Sequence, residues 1–269
     1  MENVRLIVRN IFDEAGLAVT DQVTPIESLQ QSRRTKWRSA TNSTQIITGT
    51  LSDYAFSDGI AIAHHNLLAG AQWKLILKED GVVQYDSDWL DTVLYIPAAN
   101  FLPGITPWMA SYNEKLPVQM MVHWFDITLC NEFEIHLKPE ATETYVEVGR
   151  IFLGQAISPE FNMDFGCNLT YLEKGEHRES DAQGLWTIGK GVRRQFEMDF
   201  NLLDSNERSN LSLELVSKGI QQDILISGYP ERGDVLELEH TLIGKRRDYF
   251  SSPHVDYDEW QTKLAFLET

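Results

Sequence analysis

Cysteine is scarce in this sequence. Two cysteines, Cys130 and Cys167, occur among 269 residues, and they form no Cys-x-x-Cys pair. This spacing gives no basis for a disulfide framework or a zinc ribbon. We expect both cysteines to be free thiols.

Basic residues and long apolar runs are also under-represented. The chain has 23 lysines and arginines against 40 acidic residues, a formal net charge of -17. An acidic surface repels a phosphate backbone, which argues against general nucleic-acid binding. No apolar run approaches the ~18 residues of a membrane span, and charged residues interrupt the N-terminal apolar positions, unlike a signal peptide. We therefore expect a globular protein made in a cytoplasm, without a membrane span.

Catalytic motifs are missing too. The sequence has no Gly-x-Ser-x-Gly elbow, Walker loop or dinucleotide fingerprint. His64 and His65 are adjacent, and side chains of neighbouring strand residues point to opposite faces, so the two cannot easily hold one metal ion. We predict no catalytic residue, no metal site, no cofactor and no enzymatic activity, which leaves a cell-envelope hydrolase as the weakest hypothesis.

Short alternating runs separated by glycine, proline, asparagine and aspartate dominate residues 45–153, a pattern typical of a β-sandwich. Within this part, the stretch from Tyr95 to Pro117 is rich in proline and aromatic residues and predicts a long surface loop. Further strands are predicted after Gly166, among them "VLELEHTLIG".

One helix interrupts the second set of strands. Asp204 can accept a hydrogen bond at its N-terminus with Glu207 three residues later, and Gly219 can end it in a left-handed cap. Leu211 and Leu215 would share its buried face.

Basic residues cluster in three places against the acidic background: Gln31–Arg38, Gly189–Arg194 and Gly244–Tyr249. Such clusters occur where basic and acidic patches of neighbouring subunits meet, although solvated loops give the same pattern. The subunit-interface hypothesis rests on four arginines, which are Arg193, Arg194, Arg246 and Arg247.

Three aromatic residues in or beside the proline-rich stretch are candidate contact residues. Trp89, Trp108 and Tyr112 could stack on sugar rings or anchor a protein interface.

Three motifs in sequence order carry a family resemblance. The first is "TPIESLQQSRRTKWRS", which contains Trp37, Arg38 and Ser39; the second is "DGIAIAHHNLLAGAQWKLIL", which contains Ile62–Ala71; the third is "YVEVGRIFLGQAISPEFNMDFG", which contains Glu147–Gly154. Together they resemble proteins encoded in the tail and baseplate regions of long-tailed bacteriophages and prophages.

The resemblance implies a mainly β fold in two parts. Residues 1–165 would form a discoidin-like, galactose-binding-like jelly-roll β-sandwich. Residues 166–269 would form a smaller tail-tube-like β-barrel or sandwich with one α-helix, ending near Phe266, Leu267 and Glu268. One departure is that "FEIHLKPEATETY" stands where the galactose-binding-like fold often has "RYWRIEI", so the aromatic-arginine pair is missing.

The resemblance also implies a function. The chain would be a structural virion protein, a distal-tail or baseplate subunit that forms a ring, most simply a hexamer, linking the tail tube to the baseplate or fibres. Its partners would be its own copies and other tail proteins: tube, tape measure, baseplate hub and fibres. The alternative is a carbohydrate-binding module, virion-borne or free, that recognises a cell-surface glycan.

Overall fold

A computed structural model describes residues 2–30, 35–179, 184–257 and 259–269. The strands are β1 (Arg5–Ile7), β2 (Gly16–Val19), β3 (Trp37–Arg38), β4 (Gln45–Ala63), β5 (Gln72–Glu79), β6 (Val82–Asp86), β7 (Leu90–Asp91), β8 (Met120–Lys138), β9 (Glu147–Val148), β10 (Arg150–Gly154), β11 (Asn168–Glu179), β12 (Leu185–Leu203), β13 (Asp223–Ser227), β14 (Thr241–Arg246), β15 (His254–Asp256) and β16 (Glu259–Glu268). The helices are α1 (Ser205–Lys218) and α2 (Val235–Glu239), and short 3-10 helices cover Ile11–Glu14, Ile26–Gln30, Ala98–Asn100 and Asn113–Lys115.

The first sheet has the strand order β10-β4-β8-β5-β6, with β2 added to β4 and β7 added to β5, all antiparallel. Strands β4 and β8 are each 19 residues long. The sequence pattern predicts separate short strands here, because register shifts between Thr50 and Ala55 and between Ser57 and Gly59 break the alternation. Such bulges bend a strand without ending it.

A large apolar core lies on one face of the first sheet. The opposite side of this core is formed by the first two 3-10 helices, through Phe12 and Leu29, and by the small β3-β9 sheet. Trp37, which pairs with Val148 in that small sheet, is fully buried. Trp37 and Ile62, which belong to two of the resemblance motifs, are both core residues, and the mainly β class with a curled β-sheet sandwich is confirmed.

The second sheet has the strand order β1-β13-β14-β16-β12-β11, with β15 added to β16. Helix α1 covers one face of this sheet with Leu211 and Leu215, both buried. Asp204 and Glu207 form the predicted capping box, and Gly219 follows the helix with φ of 72°. The helix prediction is therefore confirmed.

Strand β1 joins the second sheet although it comes from the N-terminus, pairing Arg5 with Ser227 and Ile7 with Leu225. The division into residues 1–165 and 166–269 stays a prediction. Strand β1 precedes that boundary, whereas the other strands of the second sheet all follow it.

A third apolar cluster joins the two sheets face to face. Ala61 and Phe152 of the first sheet pack against Ile7, Leu225 and Ile243 of the second. Strands β10 and β13 are therefore buried on both faces. This explains why each has three consecutive apolar residues, Ile151–Leu153 and Ile224–Ile226, without the alternation of a half-exposed strand.

The segment "VLELEHTLIG" corrects a sequence-based prediction of one strand and of a single helix in the second part. Its first half is helix α2, and only its second half is strand β14. The Asp234 side chain accepts a hydrogen bond from the Glu237 backbone N–H at 3.1 Å, and the Glu237 carboxylate accepts from Gly233 N at 2.7 Å. These local hydrogen bonds favour a helical turn over a strand.

Replacing Trp37 tests the packing of the first core. We expect Trp37→Ala to lower the free energy of unfolding by about 3–5 kcal/mol, because it opens a cavity at a fully buried site. Chemical denaturation measures this loss. Trp108→Ala is the matched control, with an expected change within about 0.5 kcal/mol, because Trp108 is 85% exposed. Equal losses in the two variants would contradict the packing described here.

Candidate functional site

A cavity of about 560 Å³ lies where the second sheet meets the rim of the first sandwich. We call it the basic cavity, because its lining includes Lys36, His64, Arg193, Lys245, Arg246 and Arg247. Three of the four predicted interface arginines are thus brought together. Among the described residues of the first basic cluster, Lys36 alone lines the cavity. Residues Gln31–Arg34 of that cluster lie outside the part of the chain that the structure describes.

Arg194 corrects the interface prediction, because its side chain is buried at 1% exposure. Its Nη2 is 2.5 Å from Glu268 Oε1, and its Nη1 donates to the backbone oxygens of Leu238 and Glu239 at 2.9 and 3.0 Å. The charge of Arg194 is compensated within the chain. It therefore links β12, β16 and α2 and offers nothing to another subunit.

Arg246 differs from Arg194 because it is buried without compensation. Its exposure is 8%, and its Nε and Nη1 have no hydrogen-bond partner among the described residues. Burial lowers the pKa of the Arg246 guanidinium. Arg193 and Arg247 are exposed, and the Arg247 side chain donates to the neutral Gln195 Oε1 at 2.8 Å.

The two adjacent histidines lie at the rim of the first sandwich, where β4 ends. His64 has φ of 57° and lines the basic cavity, and Gly70, with φ of 97°, lies in the turn that follows. His65 points into the protein, and burial lowers its pKa to about 3. His65 is therefore a neutral packing residue.

Trp89 is 43% exposed and packs beside side chains of β8. The Lys138 ammonium lies 5.6 Å from its ring centroid, and the His136 ring meets it edge-on at 6.2 Å. His136 Nε2 is 3.1 Å from Glu134 Oε2. An exposed aromatic face bordered by hydrogen-bonding groups can stack on a sugar ring.

Trp108 and Tyr112 lie in the predicted surface loop, which contains only two short 3-10 helices. Trp108 meets the Phe101 ring edge-on at 6.3 Å, and the Tyr112 hydroxyl accepts a hydrogen bond from Asn100 Nδ2 at 3.2 Å. These contacts stay within the loop. The structure therefore places the three candidate aromatic residues in two different surroundings.

Sequence reasoning missed a two-stranded arm, which we define as residues 173–179 of β11 and 185–192 of β12. Within the arm each strand pairs only with the other, because β12 pairs with β16 only from Gln195 onward. Trp186 and Ile188 are both exposed and, two residues apart on a strand, lie on one face. Strand length is the signal that could have indicated the arm. Strand β12 is 19 residues long, whereas its neighbour β16 has only 10 residues and cannot pair with all of β12.

Within residues 2–30, 35–179, 184–257 and 259–269, no group of three or more His, Cys, Asp or Glu side chains could hold a metal ion. No helix in those ranges is long and apolar enough to cross a membrane.

No protein-family model matches the chain, and no curated protein sequence does. Among solved structures, CpGH89CBM32-6 of Clostridium perfringens is 14% identical, with 55% of this chain and 99% of that chain covered, at a TM-score of 0.36. The family 32 carbohydrate-binding module of Clostridium perfringens NanJ, in complex with galactose, is 12% identical, with 56% and 98% covered, at a TM-score of 0.39. A putative alpha-L-fucosidase from Bacteroides thetaiotaomicron is 12% identical, with 57% of this chain but 30% of that chain covered, at a TM-score of 0.38. Likeness this low carries no argument about what this chain binds.

The buried neutral state of His65 predicts a pH dependence of stability. An unfolded histidine titrates near pH 6.5, whereas folded His65 stays neutral down to about pH 3, so a falling pH favours the unfolded state. From pH 6.5 to pH 5 we expect this residue to account for a loss of about 1.5 kcal/mol. Denaturant titrations of wild type and His65→Gln at both pH values measure the difference in slope.

The exposed His177 provides the matched control. His177→Gln is expected to keep the wild-type pH dependence. If His65→Gln also keeps it, His65 is not buried in its neutral form.

Proposed function

We propose that this chain is a structural, non-enzymatic subunit that assembles with its own copies, in the ring at the tail tip of a long-tailed bacteriophage. The three sequence motifs suggest the tail-tip setting. The arm is the structural observation that carries the assembly proposal.

The arm needs a partner surface on physical grounds. It extends roughly 20 Å as a ribbon of two strands, and such a ribbon alone is marginally stable in water. Trp186, at 64% exposure, and Ile188 form an apolar face beside their cross-strand neighbours Arg178 and Glu176. An exposed apolar face rimmed by charges is typical of a protein interface.

A second copy of the chain offers a matching surface. Tyr54, Phe56 and Leu213 are exposed and line a cleft of about 460 Å³ between α1 and the bulged part of β4. Glu214 at the rim of the cleft could pair with Arg178 of an incoming arm. The apolar face of the arm and the cleft are different parts of the surface. The contact between two copies would therefore be head-to-tail, which generates closed rings or open filaments.

The sixfold count is implied by the family resemblance alone. The net charge of -17 would let DNA pass through such a ring without adhering, because both are negatively charged.

Substituting the arm tests the assembly proposal. We expect Trp186→Ser to raise the concentration needed for self-association about tenfold or more, as loss of a central aromatic contact does. Sedimentation velocity over a concentration series measures the shift. Trp108→Ser, which changes a tryptophan that is 85% exposed on the surface loop, is expected to behave as wild type. Unchanged self-association of Trp186→Ser would contradict the role of the arm.

A second function, glycan binding, is favoured by the surroundings of Trp89. Its exposed ring could stack on a sugar while Lys138, His136 and Gln72 donate or accept hydrogen bonds. This patch lies on the first sheet, away from the arm, so glycan binding and assembly are compatible.

A glycan array with Trp89→Ala tests this second function. If the patch binds sugar, wild type and Trp108→Ala should bind the same glycans, and Trp89→Ala should lose them because the stacking surface is gone. Absence of binding by the wild type would remove glycan recognition as a function. If Trp89→Ala still binds the same glycans, the sugar binds at a site other than the Trp89 patch.

A further inference from the structure

The basic cavity contains positive charge that the chain does not neutralise. No ion pair joins Arg193, Arg246 or Arg247 to a carboxylate of the described residues. This concentration of cations is unexpected in a chain of net charge -17. Uncompensated charge costs free energy where solvent is excluded, so it points to a ligand that is bound when the protein functions.

Three carboxylates that line the cavity or contact its lining residues are already paired. Glu268 is held by Arg194 at 2.5 Å, and Glu147 by Lys36 at 2.6 Å. Asp223 lies 3.4 Å from Lys245. Among the described residues, none of the three forms an ion pair with Arg246.

Arg246 is the residue that indicates the chemistry of the ligand. Its side chain is 8% exposed, lines the cavity and forms no ion pair with a carboxylate of the described residues. A guanidinium presents its N–H groups in a planar fork, which matches the spacing of oxygens in carboxylate and phosphate groups.

We propose that the basic cavity binds a small oxyanion, a carboxylate or phosphate group of a soluble ligand, with Arg246 as its central donor. Arg193 and Arg247 add charge from the exposed side of the cavity. The volume of about 560 Å³ is within the usual range for small-molecule sites. This site goes beyond the proposed function and does not depend on assembly.

Calorimetry on the full chain, with inorganic phosphate and citrate as probes, tests the proposal. Sodium chloride at matched ionic strength controls for general screening. We expect saturable binding of at least one probe, and an affinity about tenfold lower in Arg246→Met, because charge-assisted hydrogen bonds are lost. Lys263→Gln, which removes an exposed charge remote from the cavity lining, is expected to bind as wild type.

Variants of the exposed cations keep the proposal testable if Arg246→Met fails to fold. Arg193→Gln and Arg247→Gln change surface residues, and each is expected to weaken binding by several-fold. The proposal is wrong if neither phosphate nor citrate binds the wild type beyond the chloride control. It is equally wrong if both exposed-residue variants bind as tightly as wild type. Neither result bears on self-association through the arm.

Discussion

The structure depends on the crossing of the N-terminal segment from the first sandwich to the second sheet. Strand β1 adds to β13, and Ile7 enters the apolar cluster between the sheets. Gly154 permits this crossing, because a Cβ at that position would lie 2.4 Å from the Arg9 carbonyl oxygen. Arg150 lies nearby, at 2.6 Å from Asp13 and 3.7 Å from Asp223 of the second sheet. Hydrophobic and ionic contacts therefore fix the two sheets at one interface.

The surfaces to which we assign function follow from that arrangement. The basic cavity exists because β14 is held against the rim formed by His64 and Gly149. The arm is left outside the body because β12 continues beyond the last residue that β16 can pair.

Local features were predictable from the sequence, and long-range ones were not. The capping box of Asp204 with Glu207 and the buried face of α1 depend on neighbouring residues, so the pattern alone located the helix. The pairing of β1 with β13 joins residues more than two hundred positions apart, and no local pattern encodes it. Arg194 and Arg193 are adjacent in sequence, yet strand alternation buries one and exposes the other. The clustering of basic residues in the sequence could not show which of the two arginines is buried, because that depends on which face of β12 each side chain occupies.

The central claim is that the exposed apolar face of the arm becomes buried against a neighbouring copy of the chain. The most direct measurement is a cryo-electron microscopy structure of the assembled particle. Our account predicts that Trp186 and Ile188 lie buried against Tyr54, Phe56 and Leu213 of the adjacent copy. An assembled particle in which the arm remains in solvent, or in which copies contact one another only through the first sandwich, would contradict it.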